Sequence, residues 1–85
     1  MRYLVNWEHE ARIVLQQLYN GAPDKEGFLL VLERIDLELS ANPLEAGESR
    51  EAGTRILFKY PLILWFDIDE RMREVVIVEV REWSR

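Results

Sequence analysis

From Ala11 onward apolar residues change their spacing once, and the change falls at Asn42-Pro43. Before that point they recur at every third or fourth position. Ala11, Val14, Leu15 and Leu18 form one helical stripe, and Phe28, Val31, Leu32, Ile35 and Leu39 form a second. After it they stand in short runs and alternations, "TRILFKY", "PLILWFDI" and "EVVIVEVREW", which is strand spacing. Pro43 accounts for the position of the switch. The residue before a proline is driven out of the α region, so the helix ends there. Helices on one side of the switch and strands on the other predict an α+β domain.

Local signals refine this. "RYLVNW" alternates as a first strand, with Tyr3, Val5 and Trp7 on one face. Glu8 and Glu10 suit the positive end of a helix over 8–20. Gly21 and Pro23 break the chain, and Asp24 is placed to cap a second helix over 25–41. "PLILWFDI" is apolar on both faces and predicts a central strand covered on both sides. The expected order is β-α-α-β-β-β, with two N-terminal helices packed on a small twisted, mainly antiparallel sheet. Leu29, Leu30 and Leu37 lie off the second stripe. They predict an apolar surface covered by a partner or by a second copy in a homodimer.

Composition sets the bounds. Eighty-five residues predict a single domain spanning 1–85, because so short a chain cannot divide its apolar residues between two cores. Without cysteine there is no disulfide framework and no thiolate metal site. The longest apolar run is far short of the ~20 residues that cross a bilayer. Acids follow the opening "MRYLVNWEHE" too soon for a signal peptide, so a cytoplasmic protein without membrane contact is expected. The net charge of −5 arises in the first half: Met1 to Ser49 hold four Lys/Arg against nine Asp/Glu, and the remainder holds seven of each. Such a chain repels nucleic acid at long range.

The stretch "RIDLELSANPLEAGESREAGTRILFKYPLILWFDIDE" resembles the RelE/ParE family of toxin–antitoxin toxins. Ile35, Leu39, Pro43 and Gly47 reproduce the family's pattern at the end of its second helix. Gly53 and Arg55 match the glycine and arginine that open its next strand. "LILWFDIDE" is similar to its apolar strand closing on an acid, and "VVIVEVREW" to its valine-rich last strand with a basic residue near the end. The opening "YLVNWEHEARIVLQQL" is also like the family's start. The resemblance implies a cognate antitoxin as partner, no cofactor, and one of two activities, or else a toxin fold without catalysis that acts by binding an antitoxin or gyrase. RelE-like members are ribonucleases that cut messenger RNA on the ribosome without a metal, and ParE-like members inhibit DNA gyrase. The chain departs from the ribonuclease branch in being acidic and in carrying Trp83 where a tyrosine or histidine is common.

Metal-free RNA cleavage needs a base, cations at the phosphate and an acid for the leaving oxygen. Under the resemblance, Arg55 and Arg81 match the basic strand residues and would stabilise the phosphate, with Lys59 assisting. Strict alternation puts Arg55, Leu57 and Lys59 on one face of their strand. It puts Val76, Val78 and Val80 on one face of the last strand, opposite Ile77, Glu79 and Arg81. The cations would then collect on the side away from that valine face. The bland reading is a solvated surface on which Glu79 pairs with a nearby arginine. Arg50 could reach the same rim to bind RNA, but Glu48 and Glu51 flank it, which favours a loop arginine. Trp83 could stack on a base, with packing over the first helix as the plainer expectation. Trp65 is expected in a core or interface. His9, the only histidine, reads as a surface residue rather than a metal ligand.

Overall fold

The computed structural model describes residues 2–49 and 53–83. Strand β1 (Leu4–Trp7) leads into helix α1 (His9–Gly21) and helix α2 (Lys25–Ala41). Four strands follow: β2 (Glu48–Ser49), β3 (Arg55–Lys59), β4 (Leu62–Asp69) and β5 (Glu74–Glu82). They form one sheet in the order β1-β5-β4-β3-β2. Only the β1–β5 pair is parallel, and the other neighbours are antiparallel. The α+β class, the mainly antiparallel sheet and the central place of "LILWF" are therefore as expected. The two-residue β2, which pairs with β3 inside a polar stretch, carries no apolar signal and was expected as loop.

The helix boundaries follow their local chemistry. Asp24 caps α2 by accepting a hydrogen bond at Oδ1 from the Gly27 backbone N–H at 2.9 Å. A Cβ at position 27 would collide with that carboxylate, which accounts for the glycine. Lys25 Nζ donates to the carbonyls of Asn20 and Ala22, at 3.2 and 3.1 Å, placing a cation at the negative end of α1.

The core lies between the two helices and one face of the sheet. Ala11, Phe28, Ile35 and Leu39 meet Leu57, Leu64, Phe66 and Ile77 there. Two expectations are corrected. Strand β4 is covered on one face only: Leu62, Leu64 and Phe66 are fully buried, whereas Ile63 and Trp65 point to the other face and are half-buried. The last strand does not alternate strictly either. Trp65 pairs with Glu79 and Phe66 with Ile77, so Val78 is an extra residue opposite no partner. This bulge resets the alternation. Val75, Ile77 and Val80 are the buried residues of β5, and Val76 lies on the face opposite Val80.

Candidate functional site

Arg55 opens β3 and pairs with Phe66, so its side chain leaves the sheet on the helix-covered face. There Nε donates to the Ala46 carbonyl at 3.2 Å and Nη2 to the Gly47 carbonyl at 3.3 Å. The segment it holds descends from the end of α2 past the buried Pro43 and Ala46. It turns at Gly47, whose φ is +65°. A Cβ at that position would collide with the Ile56 carbonyl oxygen, so only glycine lets this loop approach β3. Arg55 therefore staples the loop to the strand, half-buried.

Lys59 ends the same strand on the same face. Its Nζ lies 2.8 Å from Glu38 Oε1 on α2, with the two side chains 32% and 35% exposed. An ion pair this open to water contributes under ~1 kcal/mol.

Arg81 stands elsewhere. It pairs with Ile63, which pairs in turn with Phe58, and that row lies on the sheet face that carries no helix. Its Nε donates to Glu79 Oε2 at 2.5 Å, and its guanidinium sits 5.3 Å from the centre of the Trp65 ring. The expected pairing of Glu79 with an arginine is present. Trp83 belongs to the same neighbourhood rather than to the first helix. Its ring meets Phe58 edge-on at 5.5 Å and Tyr60 at 6.0 Å, and its backbone N–H donates to the Pro61 carbonyl at 2.7 Å.

The expectation that the cations share one face is thus overturned. Arg55 and Lys59 lie under the helices and Arg81 lies on the open face, because the bulge at Val78 reverses which residues of β5 point inward. Arg50 lies outside the described residues. His9 is exposed at the start of α1. Among the described residues no group of three or more His, Cys, Asp or Glu side chains could hold a metal ion, and no helix is long and apolar enough to cross a membrane.

The helix side offers a different surface. Leu15, Leu29 and Leu32 line a groove between α1 and α2 that reaches down to Val5 and Trp7, with a volume of about 340 Å³ and with Glu33 and Asp36 on its rim. Leu29, Leu30 and Leu37 are 50%, 57% and 49% exposed, which matches the apolar surface expected from their off-stripe positions.

Against known structures the fold has clear counterparts. The toxin–antitoxin complex RelBE2 from Mycobacterium tuberculosis contains a chain that matches with a TM-score of 0.79 and 29% identity, over 96% of this chain and 92% of that one. The fold is RelE/ParE-like. The chromosomal ParDE system of P. aeruginosa matches at a TM-score of 0.70 and 18% identity, over 96% of this chain and 97% of that one. The RelE–RelB complex of Pyrococcus horikoshii matches at 0.69 and 15%, over 100% and 99%. No family model and no curated protein sequence matches the chain. The RelBE2 chain fits better than either of the others, but the ParDE and archaeal RelE chains fit equally well. The fold therefore does not separate the two branches, and the side chains have to be weighed.

Two features of those side chains escape sequence reasoning. The partners of Arg55 are backbone carbonyls, which residue type does not reveal. The bulge in β5 falls in a run, "EVVIVEV", that is apolar on both faces and so gives no contrast from which to read the slip. Glu38 was findable: it precedes Leu39 of the buried stripe and so borders the face that packs on the sheet.

Proposed function

We propose that the chain is the toxin component of a type II toxin–antitoxin pair, acting in the cytoplasm and held by a cognate antitoxin. We further propose that it acts by binding a protein target, with DNA gyrase as the expected class, rather than by cutting RNA. The division of the cations carries this reading. Phosphate chemistry requires donors preorganised around one developing charge. Arg55 and Lys59 face one way and are spent on the loop carbonyls and Glu38, while Arg81 faces the other way and is paired with Glu79. The antitoxin reading draws on the toxin–antitoxin complexes that share the fold and on the apolar helix groove. A supercoiling assay with purified gyrase tests the target: inhibition by the purified chain is expected, relieved by adding the antitoxin. Unimpaired supercoiling at a large excess of toxin contradicts it.

A second reading has its own support. Arg81 is 68% exposed beside exposed Trp83, open to a ligand from solvent. If the toxin cleaves messenger RNA on the ribosome, Arg81 would stabilise the phosphate, Trp83 would stack on a base, and Arg55, Lys59 and Arg50 would act through the loop and rim. Losing one preorganised donor costs on the order of 100-fold in rate, so Arg81→Ala would abolish cleavage. Arg12→Ala on α1 would not.

A further inference from the structure

We propose that the pocket between the start of α2 and the β3–β4 turn receives an arginine side chain from the toxin's antitoxin. The pocket has a volume of about 390 Å³. Phe28, Val31 and Pro61 supply apolar walls, and Asp24, Glu82 and Tyr60 also line it. Among the described residues no lysine or arginine lines it. The adjacent cation, Lys25, is spent on the carbonyls of Asn20 and Ala22 and lies over the Tyr19 ring at 5.7 Å. Glu82 makes no side-chain hydrogen bond or ion pair among the described residues. Asp24 uses Oδ1 to cap α2 and has Oδ2 to spare.

Charge decides what such a pocket can take. The α2 N-terminus contributes a partial positive charge of about half a unit, which the cap and Glu26 in the first turn already offset. Two carboxylates remain, so an anionic or purely apolar occupant would desolvate them without compensation. A cation with an apolar stem fits all the walls at once. Its methylenes lie along Phe28, Val31 and Pro61. A planar guanidinium can fork to a carboxylate, which an ammonium does less well. The antitoxin as the source rests on the proposed function. The pocket's preference for arginine does not.

Two measurements test this separately. Titrating the isotope-labelled full chain with N-acetyl-arginine amide should give saturable amide shifts at Gly27, Val31 and Glu82. The neutral isostere N-acetyl-citrulline amide should bind about 3-fold more weakly or worse, the scale of a charged contact to exposed carboxylates. Asp24→Asn keeps a capping side chain and Glu82→Gln keeps the shape of the residue. The double variant should therefore fold normally and lose the arginine shifts. Equal binding of citrulline, shifts centred elsewhere, or an unaltered double variant would overturn the pocket. The double variant should also bind the antitoxin about 3-fold more weakly than wild type or worse, and unchanged affinity would overturn the assignment of the occupant. Failure of wild type to bind any antitoxin would instead sink the antitoxin reading, leaving the titration to judge the pocket.

Discussion

Arg55 shows how far a single residue can be read. Its position at the mouth of a strand is legible, since a basic residue after Gly53 and Thr54 stands where the apolar run begins. What it touches is not legible, because its acceptors are the carbonyls of Ala46 and Gly47. As a staple it should matter for stability whatever its part in function. Arg55→Ala should lower unfolding stability by ~1–3 kcal/mol, the range for charged hydrogen bonds in a half-buried setting. Lys59→Met should cost less than ~1 kcal/mol, because its ion pair is open to water. Gly47→Ala should be the worst of the three, at ~2 kcal/mol or more, since it combines a left-handed φ with a collision against the Ile56 carbonyl. Urea unfolding followed by tryptophan fluorescence ranks them directly.

At the scale of elements, periodicity located both helices, three of the four later strands and the Asp24 cap, because each signal is local. The fate of β5 is not local. Its apolar residues fill both faces, so nothing in "EVVIVEV" distinguishes a regular ladder from one with a bulge, and pairing with β4 makes the choice. One pair of substitutions separates the two. Strict alternation puts Val76 and Val80 on the same face, whereas the bulge buries Val80 in the core and leaves Val76 on the open face. Val80→Thr should therefore cost roughly 1–3 kcal/mol for an unpaired buried hydroxyl. Val76→Thr, free to meet water, should stay within about 0.5 kcal/mol. Equal effects in thermal unfolding would contradict the bulge.

Across the whole molecule, one sheet separates two surfaces of different character. The helix side carries an apolar groove with an acidic rim, exposed leucines and the pocket beside α2. The open side carries an aromatic patch in which one arginine is matched by a neighbouring glutamate. Leu30→Asp, at an exposed helix position, should leave stability within about 0.5 kcal/mol and should weaken antitoxin binding in calorimetry if the helix side is the contact surface. The net charge of −5 adds long-range repulsion of RNA to the short-range division of the cations. Under the proposed function this fold binds a protein target and does not cut RNA. The most direct test maps messenger RNA ends by primer extension in a translation extract, with wild-type protein and with Arg81→Ala. No cleavage above background is expected for either. New ends on ribosome-bound message with wild type, lost with Arg81→Ala, would contradict it.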